Sequence, residues 1–247
     1  MISIITATYN VRDTIVPLTA SLKAQTSADF EWIVVDGAST DGTQLLLAQM
    51  QGLPLRWISE PDFGIYHALN KGLGMASGDY YLVVGADDQL EPHAIESFSA
   101  ALKSAPDVVS APVWIEDVLM RPRDAKDWFR SGPPMVAAHS VGTLMRRDLH
   151  QRLGWYSRRY PIAADTFFLL RAVEAGCRFI EIDKPVGRFG RDGVSSVDVL
   201  GALCESLRAN IEVRGQLLLQ LAMFAVRLIR NYPRIARRLS AMRRIDR

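Results

Sequence analysis

Along its first hundred residues the chain alternates two hydrophobic patterns. Short unbroken apolar runs at Ser3–Thr8, Trp32–Asp36, Leu55–Ser59 and Tyr80–Val84 read as strands buried on both faces. Between and after them, apolar residues recur every three or four positions at Thr14–Ala24, Thr43–Met50, Ile65–Met75 and Pro92–Lys103, the spacing of amphipathic helices. Asp41 before Gly42-Thr43, and Pro92 at a first helical position, mark helix starts. This alternation predicts an α/β fold, a mostly parallel central sheet flanked by helices with a Rossmann-like first half. Ligands of such sheets bind beyond the carboxyl ends of the strands. The conspicuous polar residues of this chain fall at those ends.

The second half is less regular. From Asp107 to Arg147 the pattern predicts strands and a loop that extend the sheet and shape the other side of a cleft. A helix over Asp165–Ala175 and a strand over Arg178–Ile182 follow. Val199 to Arg230 reads as one long helix, interrupted by Pro233. Beyond it, Ile235, Leu239, Met242 and Ile245 form an apolar stripe among arginines. The expected division is one domain over 1–200 and a helical, Arg-rich extension over 201–247.

Composition changes this picture in one place. The 247 residues are 49% hydrophobic and 23% charged, as expected for a packed domain. The net charge is +2, yet from Glu205 onward there are ten Arg, no Lys and three acids, so the tail carries about +7. Such a tail fits an anionic membrane surface, or a solvated helix packed on the catalytic domain. It lacks the aromatic platforms that single-stranded nucleic acid uses, so no nucleic acid is expected. Cys177 and Cys204 have no metal-ligand spacing and read as reduced thiols. No export signal is visible, and the apolar stretch Leu217–Ile229 is too short to span a bilayer, which takes about 20 residues. The expected location is cytoplasmic, peripheral on the cytoplasmic face of the membrane.

The candidate chemistry lies in five segments. Thr8-Tyr9-Asn10 ends the first strand. Val34-Val35-Asp36-Gly37-Ala38-Ser39-Thr40-Asp41-Gly42-Thr43 ends the second, with Asp36 at its carboxyl end and Asp41 placed to cap the next helix. Glu60-Pro61-Asp62-Phe63-Gly64-Ile65-Tyr66 leads into a helix carrying His67, Asn70, Lys71 and Gly72. The acid pair of Gly85-Ala86-Asp87-Asp88 follows an apolar strand, an oxygen-rich arrangement suited to a divalent cation. Asp165 opens an apolar helix in Ile162-Ala163-Ala164-Asp165-Thr166-Phe167-Phe168-Leu169-Leu170-Arg171.

Together these segments resemble the motifs of family 2 glycosyltransferases with the GT-A fold, of the type found in bacterial surface-polysaccharide biosynthesis. The resemblance covers about residues 1–200. It implies an inverting, metal-dependent transfer of a sugar from a nucleotide diphosphate sugar to a hydroxyl acceptor, lipid-linked or polysaccharide. By that resemblance Thr8, Tyr9, Asn10, Asp36, Asp62, Asn70, Lys71 and Asp87 contact the nucleotide sugar. Asp88 holds Mn²⁺ or Mg²⁺ across the diphosphate, and Asp165 deprotonates the acceptor. An ionised carboxylate only accepts hydrogen bonds, so Asp36 is expected to take the imide N–H of uracil or thymine and to reject cytosine. His139, before Ser140, matches a turn that lines the acceptor pocket. Arg191-Asp192-Gly193-Val194-Ser195-Ser196 resembles a loop near the phosphates, with Asp192 in place of a glycine. His67 and Phe168 also depart from the family, which often has acids there.

Competing α/β chemistries lack their signatures. No G-x-G-x-x-G follows the first strand, and no P-loop is present. Ala38 stands where a haloacid-dehalogenase phosphatase needs its second acid, and Thr6–Arg12 lacks the Gly-rich loop of a nucleotidyltransferase. The remaining rival is a non-catalytic nucleotide-sugar-binding or assembly protein on the same fold, favoured by the missing literal D-x-D.

Overall fold

In the computed structural model the N-terminal run forms β1 (Ile2–Thr8), an inner strand of the main sheet. It pairs in parallel with β2 (Phe30–Asp36) on one side and β4 (Tyr80–Val83) on the other, and β3 (Leu55–Ser59) adds beyond β2. The helices between them are α1 (Ile15–Lys23), α2 (Thr43–Gln49) and α3 (Ile65–Met75), with α4 (Ala94–Ala101) next in the chain. The structure describes residues 1–122, 136, 140–190 and 198–245, with side chains of the last helix described through 236. The expected α/β architecture is present.

Beyond β4 the sheet becomes mixed. Its order is β10-β6-β9-β4-β1-β2-β3, with β6 (Val108–Ser110), β9 (Thr143–Arg146) and β10 (Phe179–Glu181) on the far side. Strand β9 lies antiparallel between β4 and β6. A second, four-stranded sheet has the order β5-β11-β7-β8, built from β5 (Gln89–Leu90), β11 (Gly187–Phe189), β7 (Val113–Ile115) and β8 (Val118–Met120). Of these, β7 and β8 lie in the stretch whose pattern was irregular, because three residues are too few to establish a period.

Two apolar cores sandwich the main sheet. One packs α3 and α6 (Ala164–Glu174) against Ile5, Ile33, Val35 and Tyr81; the other packs α1 and α4 against Ile4, Trp32, Val34 and Leu82. Successive strand residues alternate between the two, as a pleat requires. Gly72 lets α3 lie close on β1, since a Cβ there would stand 2.5 Å from the Ile5 Cγ2. Helix α3 runs to Met75, as its apolar spacing predicts.

The C-terminal helices depart from expectation. After the short α5 (Leu149–Leu153) and α6 come α7 (Val199–Arg214) and α8 (Leu217–Ile245). The single long helix breaks at Gly215 (φ +66°) and Gln216 (φ +52°), not at Pro233, which sits inside α8. A proline forfeits one intrahelical hydrogen bond, whereas two successive positive φ angles cannot belong to a helix. An expected boundary after residue 200 would separate α7 from the domain it braces, because Glu205 and Glu212 bond to residues 159–163.

Candidate functional site

The carboxyl ends of β1, β2 and β3 are stitched together by one buried carboxylate. Asp36 is completely buried, and its two oxygens accept from Thr8 Oγ1 at 3.0 Å, Ser39 N at 2.9 Å, Ser39 Oγ, and Ser59 Oγ at 2.6 Å. A carboxylate has about four lone-pair sites, and all four are filled by the protein. In this arrangement both oxygens of Asp36 are engaged by the turn. Asp36 fixes the turn, and Thr8 serves it as a donor. Asn10, at φ +53°, ties the same turn down by accepting from Thr40 N at 2.9 Å, while its own N–H donates to Ser39 Oγ. Asp41 accepts from the Thr43 hydroxyl and N–H and from Arg12 N. The Thr43 hydroxyl leads in lowering its pKa to about 2, so it acts as the expected turn and helix-start acid.

What these turns expose is a slot. Tyr9 is 65% exposed, and a Cβ added at Gly37 would stand 2.8 Å from Asp62 Oδ2 and 3.5 Å from Tyr9 Cδ2. Gly37 is thus the floor between an exposed aromatic ring and a carboxylate. Asp62 accepts from Gly64 N through Oδ1 at 2.8 Å, which turns Oδ2 toward Gly37. The other residues of this segment brace it. Lys71 is paired with Glu60 at 2.8 Å and donates to Pro61 O, so its charge holds the Asp62 loop. The Asn70 amide donates to Tyr156 O and accepts from Tyr156 N, pinning α3 to the segment before α6. His67 Nδ1 accepts from Phe63 N, so the departure from the family's acid serves the same loop.

After β4 the acid pair divides its labour. Asp88 is 1% exposed and accepts from Gly85 N at 2.7 Å, Ser140 Oγ at 2.6 Å and Gly190 N at 2.8 Å. Burial, opposed by these bonds, raises its pKa, and the neighbouring Asp87 adds to the rise. Asp87 is half-exposed and stands against Gly190, where any side chain would overlap its carboxylate. Asp88 therefore locks the turn, and Asp87 stands less buried beside it. Both line a cavity of about 100 Å³ that runs from Gly85 past Ala7 and Phe189 to Tyr66 and Ile162. A larger cavity of about 340 Å³ opens at the opposite end of β4, against Asp79 and the ion pair of Arg146 with Asp148. It contains none of the residues from the carboxyl ends of β1 to β4.

Tyr66, at the cavity's other end, leads to Asp165. Its hydroxyl lies 2.7 Å from Asp165 Oδ1 and 2.9 Å from Ile162 O. Burial first, and then the charge of Asp165, raise the tyrosine's pKa well above its ordinary value, so it stays a donor. Asp165 is 5% exposed in the first turn of α6, where the helix dipole favours a negative charge. Behind it, Tyr156, Tyr81 and His150 form a buried chain, Tyr156 Oη to Tyr81 Oη at 2.9 Å and Tyr81 Oη to His150 Nε2 at 2.7 Å. Phe168, where the family often has an acid, stacks on His150 at 4.3 Å, so an apolar ring suits that place.

Glu205, not anticipated as a site residue, accepts from Ile162 N and Ala163 N at 2.9 Å each and so fixes the turn that presents Asp165. Glu212, two turns along the same helix face, bonds Arg159 and Tyr160. The signal for both was two acids seven residues apart in an otherwise basic tail. His139 and the Arg191–Ser196 loop lie outside the described residues.

Comparison with known proteins agrees with this arrangement. Residues 3–172 match the family described as "Glycosyl transferase family 2". A "PGL/p-HBAD biosynthesis glycosyltransferase" of Mycobacterium bovis is 29% identical, covering 99% of this chain and 96% of its own. A putative teichuronic acid biosynthesis glycosyltransferase of Bacillus subtilis, TuaG, is 34% identical over 39% of each chain. Among solved structures, S. aureus TarS has a TM-score of 0.68; 94% of this chain matches, spanning 43% of that one. Its 1–349 form in complex with UDP-GlcNAc has a TM-score of 0.69 at 19% identity, with 94% and 72% of the two chains covered. The mannosyltransferase PcManGT from Pyrobaculum calidifontis, in complex with GDP-Man and Mn²⁺, has a TM-score of 0.66 at 20% identity, covering 99% and 79%. At such identities the structures share the GT-A fold alone, but the family match spans more than half of the sequence. The chain belongs to glycosyl transferase family 2.

Proposed function

We propose that this glycosyltransferase takes a sugar from a UDP-sugar and passes it, with inversion, to a hydroxyl of a surface-polysaccharide or lipid-linked acceptor. The observation that carries the reading is one cavity lined by Asp87 and Asp88 at the strand end and by Tyr66 at the other, with Asp165 bonded to the Tyr66 hydroxyl just behind that lining. A donor lying along the slot would put its base between Tyr9 and Asp62 and its diphosphate toward Asp87. Asp62 Oδ2, an acceptor facing Gly37, supports a base with an N–H on that edge, which uracil has and cytosine lacks.

The residues at the strand end fit a divalent cation. Among the described residues no three His, Cys, Asp or Glu side chains form a cage. Mg²⁺ and similar ions at such sites are commonly held by one or two carboxylates together with substrate phosphates. Asp87 would hold the ion, with Asp88 behind it, and the bound ion would neutralise charge on the departing diphosphate. Asp165 would remove the proton from the acceptor hydroxyl as that oxygen attacks the anomeric carbon from the face opposite the diphosphate. Tyr66 would orient its Oδ1, and Glu205 would hold its helix.

The test is calorimetric binding of UDP, dTDP, GDP and CDP with and without Mn²⁺, followed by release of UDP from a panel of UDP-sugars. Metal-enhanced UDP binding with weak CDP binding is expected. Equal affinity for UDP and CDP would overturn the base assignment, and binding without turnover of any donor would overturn the catalytic one.

A further inference from the structure

Helix α8 is turned inside out relative to a surface helix of a water-soluble domain. Its inward face carries Gln220 (3% exposed), Met223 (8%), Arg227 (7%) and the half-buried Asn231, whose amide donates to Arg227 O, so three of its four residues are polar. Its outward face carries Leu218 (82% exposed), Leu221, Ala225, Ile229 (74%) and Tyr232 (67%). Their spacings of three, four, four and three residues make one continuous apolar stripe, about 20 Å long at 1.5 Å per residue. Contiguous exposed apolar surface of this kind marks an interaction site.

Charge selects the occupant. Arg230 and Arg234 are exposed beside the stripe, and the tail from Glu205 onward carries about +7. A second copy would bring the same positive charge against it, whereas a membrane rich in anionic lipid offers both the opposite charge and an apolar layer. No helix of the described residues is long and apolar enough to cross a membrane. An amphipathic helix that lies in the interface needs no such length.

We infer that the outward stripe of α8, from Leu218 to Tyr232, docks on an anionic lipid surface, with Arg230 and Arg234 at the headgroups. The break at Gly215-Gln216 lets α8 lie along that surface while α7 stays bonded to the catalytic half.

The experiment is co-sedimentation of the full chain with vesicles of phosphatidylcholine, alone and mixed with phosphatidylglycerol, at low and high salt. The comparison is with the triple variant Leu218→Gln, Leu221→Gln, Ile229→Gln, in which glutamine keeps the helix propensity. UDP affinity, which these positions do not touch, reports that the variant is folded. Wild type is expected to bind mixed vesicles at least tenfold more tightly than neutral ones and to weaken with salt. The triple variant is expected to lose at least tenfold on mixed vesicles, and Arg230→Gln with Arg234→Gln to lose the preference for anionic lipid. Equal vesicle binding by wild type and the triple variant would overturn the inference. So would self-association of wild type in light scattering, abolished in the triple variant, without vesicle binding; that result would assign the stripe to a second copy.

Discussion

Replacing Asp165 by Asn tests the catalytic assignment with little disturbance of the fold. The amide has nearly the shape of the carboxylate, and its oxygen can still accept from Tyr66 at the 2.7 Å position. Two terms change. The first is the charge at the start of α6, where interaction with the helix dipole is worth about 0.3–2 kcal/mol. The corresponding fall in Tm is about 2–4 °C per kcal/mol for a chain of this size. The second is the basic lone pair, whose loss removes general-base catalysis, typically about 10²–10⁴-fold or roughly 3–5 kcal/mol of barrier. Asp165→Ala should cost more in stability, because the Tyr66 hydroxyl loses its bond to a charged acceptor, worth about 1.5–3 kcal/mol, and keeps only Ile162 O. The assay is steady-state release of UDP from a UDP-sugar, beside calorimetric UDP binding and thermal unfolding. Near-native UDP affinity, a small fall in Tm and a collapse of turnover are expected for Asn. Turnover within a few-fold of wild type would refute the reasoning and leave Asp165 as a helix-start acid.

Asp62→Ala should weaken UDP binding at least tenfold while changing unfolding free energy by less than about 1 kcal/mol, as read by calorimetry and urea melts; unchanged UDP affinity would remove Asp62 from the base slot. Asp36→Ala should show itself first in the urea midpoint, losing about 3 kcal/mol or more because four buried donors lose one acceptor. Asp87→Ala should abolish the Mn²⁺-dependent part of UDP binding and leave the metal-free part, whereas a full metal effect in that variant would return the ion to Asp88. His150, held neutral by burial with a pKa near 4 against 6.5 unfolded, makes the unfolded chain bind the extra proton between those values. Stability should therefore fall as pH drops from about 6.5 to 4, by on the order of 3 kcal/mol. His150→Gln should flatten that slope in urea melts, and an unchanged slope would place the proton uptake elsewhere.

The elements legible in the sequence were those whose pattern was long enough to have a period: β1 to β4 and α1 to α4 fall within a few residues of expectation. The short strands β5 to β8 and the antiparallel insertion of β9 were not, because pairing partners separated by sixty residues leave no local trace. At the site, residue types were legible but the direction of each side chain was not. Asp36 and Asp62 are both acids at strand ends, and only the serine and threonine donors around Asp36 show that its oxygens are already occupied. Asn70 and Lys71 carry a polar signal that suits a ligand equally well, yet their partners are Tyr156 and Glu60. Glu205 acts on a turn forty residues upstream in the chain, so no motif around Asp165 includes it.

Strand β9 sets a constraint on how the chain reaches this fold. It supplies the inner partner of β4, yet it is synthesised some sixty residues later, and β6 and β10 join the sheet only through it. Until Thr143–Arg146 emerges, the nascent chain holds β3-β2-β1-β4 with the β4 edge unpaired and its residues Tyr80–Val83 apolar on both faces. An open, flat, hydrophobic edge is a template for pairing with another chain. Long-range closure of this kind is also slow compared with the local pairing that precedes it. Fragments ending before residue 143 should therefore aggregate through β4, and fragments that include β9 should remain dispersed.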